Sequence, residues 1–299
     1  MVGELFALLA AVAFALSTVF SRRYMAPPVP DPHRPPIPPD IGVFTTMVAN
    51  AAVYVGLALV EAVRGALPPL TPAALGLFVL GGVCGTFIGR NLAFLSVQRI
   101  GPARSTALRL SNTLFAALIG LVALRELPRP WQIVGAVLLT TGLWLVIRSH
   151  TRTEAPARDG WGVAAALASA VAFALGDTAR RGGLVLAPSP VLGAAVGVVV
   201  PLLVQSLWLL RTRPARPPVR GLLRFDVVAG ALAHTAAILL LFFALQRTAV
   251  ANAAVLYNLQ VLLVILFGRW LLPGDEETPP ALVVGSVLAL LGTAAVLLG

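Results

Sequence analysis

The sequence predicts an all-α integral membrane protein, with ten transmembrane helices arranged as two inverted five-helix repeats. Three observations carry this. Hydrophobic residues make up 58% of the 299-residue chain and charged residues 11%, with a mean hydropathy of +0.91, far from the balance of a soluble domain. The apolar residues fall into runs near the roughly 20 residues that cross a hydrocarbon core as a helix. The second half also repeats the first in order: VAFAL at Val12–Leu16 returns at Val171–Leu175, and Gln98-Arg99 returns as Gln246-Arg247. Glu126, Pro130, Gly135 and Gly142 return at one common separation as Glu276, Pro280, Gly285 and Gly292. The halves divide at 1–150 and 151–299, and because five is odd, equivalent helices must cross in opposite directions.

Each element has its own signals. The first run, Val2–Phe20, has Arg22 and Arg23 after it and no basic region before it, so it reads as a retained helix and not a cleaved signal. The proline-rich stretch Ala26–Asp40 suits an exposed polyproline-like connection. A second helix is expected over Ile41–Val63 and a third over Ala73–Val97, the latter with Gly81, Gly85 and Gly89 spaced for close helix contact. Gly101–Ala123 forms the fourth and Trp131–Ile147 the fifth. In the second half the expected spans are Trp161–Asp177, Pro190–Leu210, Asp226–Leu245, Thr248–Leu272 and Ala281–Leu298.

The charge pattern narrows the class further. All 22 basic residues are arginine, which removes lysine Schiff bases and Walker-type phosphate loops. The net charge of +10 is spread over short connections and suits topology signals and anionic lipid headgroups, not nucleic acid. The single cysteine, Cys84, excludes an intrachain disulfide, and no residue spacing suggests a metal site or a cofactor. Arginines are more numerous in the connections on the side away from the N-terminus, and this alone would place both termini outside the cytoplasm.

AFLSVQRIGPARSTAL at Ala93–Leu108 and LRELPRPWQIVGAVLLTTG at Leu124–Gly142, with weaker counterparts at Phe243–Leu256 and Glu276–Gly292, resemble the EamA-like branch of the drug/metabolite transporter superfamily. The resemblance spans nearly the whole chain. It departs at Arg125-Glu126, where the family usually has Gly-Glu, and at the acidic cluster Asp275, Glu276 and Glu277. It implies secondary transport of small metabolites, commonly amino acids or phosphorylated compounds, in the cell inner (plasma) membrane. It also implies cytoplasmic termini, against the arginine count.

The fourth segment carries the first candidate site. An arginine at mid-bilayer costs about 2.5–3.5 kcal/mol on insertion scales, so Arg109 needs protein or water around it. On an unbroken helix Ser105, Arg109 and Asn112 share one face, while Arg104 points about 140° away from Arg109 and, a turn from the start, can snorkel to the interface. Arg90 and Asn91 follow the glycine row, with Arg90 placed either to neutralise Asp177 or to reach the cavity. Asn252, Tyr257, Asn258 and Gln260 occupy the corresponding segment of the second half, where packing and substrate contact are both open readings. Guanidinium groups facing one cavity favour a phosphate or carboxylate guest. His234, the imidazole expected inside a helix, is the candidate for proton coupling, and Asp177 reads as an interfacial ion pair with Arg180 and Arg181. The expected partners are a small anionic or zwitterionic metabolite and membrane lipid. The alternatives are a flippase for a phosphate-headed lipid and, with no catalytic pair in the membrane segments, an intramembrane enzyme.

Overall fold

The computed structural model describes residues 2–26, 35–115, 118, 130–149, 159–212, 223–247, 255–272 and 279–298, all helical or in connections. In chain order the helices are α1 (Val2–Met25), α2 (Pro39–Val63), α3 (Pro72–Ile100), α4 (Pro102–Arg109, resuming at 112–115) and α5 (Pro130–Arg148). The second half contributes α6 (Gly160–Leu186), α7 (Pro190–Thr212), α8 (Phe225–Arg247), α9 (Val255–Leu271) and α10 (Pro280–Leu298). Among the described residues, eight helices are long and apolar enough to cross a membrane; α4 and α9 are shorter. Most of the expected proline-rich connection, the end of the fourth expected span, Glu126, the 275–277 acidic cluster and Asn252 lie outside the described residues.

Local chemistry sets the boundaries. The hydroxyl of Thr71 accepts from Ala74 N at 3.2 Å with Pro72 in the first turn, an N-cap that starts α3. Gly101, at φ 81° and ψ 162°, ends that helix in a conformation open in practice only to glycine, and Pro102 starts α4 immediately after it. Asp159 caps α6, accepting from Gly162 N at 3.0 Å and pairing with Arg99 at 2.9 Å. Burial works to raise that carboxyl, but the Arg99 and backbone N–H donors outweigh it and hold it below its ordinary value.

Two helices run further than the sequence suggested. α1 continues past Phe20 to Met25 and α6 past Asp177 to Leu186, so Arg22, Asp177, Arg180 and Arg181 sit within helices and not in connections. The reason is energetic for three of them: Arg22, Asp177 and Arg180 each find a partner inside the bundle, so their charge does not end the helix, while Arg181 stays exposed.

Tight crossings hold the bundle together. A Cβ on Gly81 would lie 3.0 Å from Gly176 O, so α3 and α6 meet backbone to backbone as the glycine row suggested. A Cβ on Gly135 would stand 2.8 Å from Gly292 O, and one on Gly285 the same distance from Gly142 O. Gly135 and Gly285, like Gly142 and Gly292, are repeat equivalents, so α5 and α10 cross antiparallel through a self-complementary contact. Other pairs are also antiparallel: Phe6 meets Phe243 while Gly230 faces Phe20 across α1 and α8, and Gln205 reaches the carbonyl of Asp40 while Ser189 reaches Glu61 across α2 and α7.

α4 is not one continuous helix. Leu110 N bonds to Ala107 O and Ser111 N to Leu108 O, three residues back instead of four, while Ser111 Oγ takes the Leu108 carbonyl at 2.8 Å. α9 tightens in the same register, with Leu259 N on Leu256 O and Leu262 N on Leu259 O. In α3 the stretch Gly82–Gly89 widens into a π-helix just before Arg90. These three irregular stretches all line the interior space described next.

Candidate functional site

Between the helices lies a chamber of about 1230 Å³ of atom-free space, its open part included. It continues past Asn112, Asp177, Tyr257 and Asn258 into an adjoining space that reaches Leu184 and Leu297. Those two residues belong to the end of the bundle that carries the N-terminus.

Among the described residues three arginines face the chamber, and they differ in how well they are satisfied. Arg180 is settled: its Nη1 lies 3.1 Å from Asp177 Oδ1 and its Nη2 donates to Thr86 Oγ1 at 2.9 Å. Arg90, 8% exposed, places Nη1 2.8 Å from each ring nitrogen of His234 and stacks over Phe94 at 4.7 Å. Its Nε and Nη2 are buried with no hydrogen-bond partner among the described residues. Arg109 donates from Nη2 to Thr106 Oγ1 at 3.0 Å and leaves its buried Nε without one. Buried donors are nearly always paired, so this concentration of open N–H groups in one chamber stands out.

The Arg90–His234 contact constrains the imidazole. A ring nitrogen that accepts from a guanidinium carries no proton, and a doubly protonated ring would set two cations 2.8 Å apart. The His234 ring also meets the edge of Phe14 at 5.6 Å, and Phe14 lies 5.9 Å from Tyr257.

Of the residues singled out from sequence, Arg90, Arg109, Asn112, His234, Tyr257, Asn258 and Gln260 line the chamber together. Asn112 and Tyr257 line it from opposite halves of the chain. Ser105 does not join them. Its hydroxyl is buried without a partner among the described residues and lies off the chamber wall: within the unbroken helix Pro102–Arg109 the wall falls on the Thr106 side of Arg109, and Ser105 is on the other side. Asn91 also lies off the wall, donating to Phe87 O at 2.8 Å and Gln205 Oε1 at 2.9 Å, a brace between α3 and α7. Arg104 donates to the Ser149 carbonyl beyond the end of α5, and Asn252 is not among the described residues. Asp177 forms the ion pair expected of it, but on the chamber wall and not at an interface.

Sequence reasoning missed several chamber residues. Asn50 accepts from Thr235 Oγ1 at 2.7 Å and Tyr54 donates to Thr235 O at 3.1 Å; single polar residues in an apolar run gave no cue to their direction. Phe14 and Phe173 did carry a signal, since they are the phenylalanines of the two VAFAL copies and both face the chamber.

Long apolar helices wrapped around a chamber with buried guanidinium groups define a multi-pass membrane protein with an internal polar compartment. The chain belongs to the EamA-like transporter family, whose model matches residues 1–148 and again 160–298, and is thus a membrane transporter of the drug/metabolite transporter superfamily. A solved crystal structure shares the fold with a TM-score of 0.65 over 98% of this chain and 95% of its own, at 17% identity. No curated protein matches the chain.

Proposed function

We propose that the chain is a secondary transporter of ten transmembrane helices, built from inverted repeats at 1–150 and 151–299. It moves a small anionic or zwitterionic metabolite across the cell inner membrane by alternating access. The observation that carries this reading is the pair of chamber guanidinium groups, Arg90 and Arg109, with open buried N–H donors. Such groups are tolerated in a membrane interior where they face a wet compartment or an anionic guest. Asn112, Tyr257, Asn258 and Gln260 supply the neutral part of the site, and His234 links Arg90 to proton movement. The antiparallel, self-complementary α5–α10 crossing supports the inverted-repeat reading, as do the matched breaks at Leu110 and Leu259.

The test is counterflow in proteoliposomes against amino acids, organic acids and phosphorylated compounds, with Arg109→Ala in parallel. The expected result is exchange of at least one class, reduced tenfold or more by the substitution. Exchange of every responsive solute at wild-type rate in Arg109→Ala would remove the site. Movement of a lipid probe alone would replace the solute carrier with a flippase.

A further inference from the structure

The charges on the chamber wall allow the guest to be specified more closely, on the reading above. Among the described residues the wall carries Arg90, Arg109, Arg180, Asp177 and His234. Arg180 and Asp177 neutralise one another at 3.1 Å, and His234 accepts from Arg90 and so brings no charge. Two positive charges remain uncompensated on this wall, on Arg90 and Arg109; Arg181, an exposed arginine, lines the adjoining space and not this wall.

The open donors are placed as a receptor would place them. On Arg90 the nitrogen turned to His234 is Nη1, which leaves Nε and Nη2, the adjacent pair on one edge of the fork. That edge grips a carboxylate or phosphate through two parallel N–H bonds. His234 and the Phe94 ring hold the guanidinium plane from other sides, so the edge is oriented before the guest arrives. Arg109 is held by Thr106 and offers its buried Nε.

We infer that the preferred guest is a dianionic oxyanion, either a dicarboxylate or a phosphate monoester, with Arg90 as its bidentate receptor and Arg109 balancing the second charge. A zwitterion is a poor match. It brings no net charge to a wall that lacks two negative ones, and its ammonium would have to compete with Arg180 for Asp177. A monoanion leaves one arginine unmatched in low-dielectric surroundings.

The experiment is titration calorimetry on the purified full chain with succinate, glycerol 3-phosphate, butyrate and leucine, comparing wild type with Arg90→Gln, Arg109→Gln and the double variant. Thermal midpoints of the same preparations establish that each variant is folded. At least one dianion is expected to bind tenfold or more tightly than butyrate and leucine. Arg109→Gln should bring the dianion-to-butyrate ratio close to one, and Arg90→Gln should weaken every oxyanion. Succinate against glycerol 3-phosphate separates carboxylate from phosphate, and lysophosphatidate displacing glycerol 3-phosphate would assign the phosphate to a lipid head. Leucine or butyrate binding as tightly as both dianions overturns the dianion inference and leaves a carrier whose site uses the same arginines. Dianion binding unchanged in the folded double variant overturns the site itself, and absence of saturable binding by either dianion overturns the inference.

Discussion

At the scale of single residues, the chamber depends on how each arginine is held. Removing the ring of His234 strands a buried guanidinium N–H, and a hydrogen bond to a charged group is worth about 1.5–3 kcal/mol. His234→Ala is therefore expected to lower stability by about that amount, whereas His234→Gln, which restores an acceptor for Arg90 Nη1, recovers most of it. Thermal unfolding of the two variants in one detergent measures the difference; equal losses would mean the contact contributes little. His234→Gln also removes the imidazole proposed to link Arg90 to proton movement, so any pH dependence of exchange that runs through it should flatten. A profile identical to wild type would take His234 out of coupling. The sequence identified His234 and Arg90 separately and could not pair them, because they lie in different halves and their side chains meet only at the chamber. Arg180 was misplaced for a related reason: beside Asp177 it looked like the end of a helix, and the partner that keeps it inside, Thr86, is on α3.

At the scale of elements, boundaries and crossings are set by a few positions. Asp159 starts α6 with a side-chain cap and an ion pair to a half-exposed arginine, so the cap should dominate the loss in Asp159→Ala, about 1 kcal/mol. Its carboxyl is held below the ordinary value of 3.8, so it contributes stability above that value and loses the contribution as pH falls through the lower folded value. Acid titration of unfolding should show wild type and Asp159→Ala converging at low pH. The α5–α10 crossing is less forgiving. A side chain at Gly285 would meet Gly142 O at 2.8 Å and Leu145 and Val146 at 3.0 Å, and backbone cannot retreat as a flexible side chain can. Gly285→Leu is expected to cost several kcal/mol and sharply reduce folded yield, read as the monodisperse fraction after purification. The glycine repeats that make this crossing were legible in the sequence as repeated spacings. The breaks at Leu110 and Leu259 were not, since no glycine or proline marks them and the signal is a three-residue hydrogen-bond pattern visible only in the backbone.

At the scale of the whole molecule, the two ends of the bundle are built differently. At the end away from the N-terminus, Arg22 donates to the carbonyls of Val97 and Gln98, Arg104 to that of Ser149, Arg99 pairs with Asp159, and Arg224 pairs with Asp226 while reaching the carbonyl of Pro35. The chamber instead extends toward the other end, past Asn258 to Leu184 and Leu297. Several arginines that a topology count assigns to loops are these clasps and chamber groups, so the count weighs residues whose positions are set by local partners. If the carrier works by alternating access, this arrangement is the state closed at the clasped end, and the clasps must release for the other state to form. Arg22 is the informative one to remove, because it joins α1 to the end of α3 beneath the chamber with bonds to backbone oxygens that remain in every variant. In a Cys84→Ala background, a cysteine placed at Leu241, which lines both parts of the chamber, should react with a membrane-impermeant maleimide from the side of the termini only. Adding Arg22→Gln should make the same cysteine reactive from both sides, with the largest gain on the clasped side. Labelling that stays one-sided at wild-type rate after the Arg22 bonds are gone would show that the remaining clasps, and not Arg22, hold that end shut.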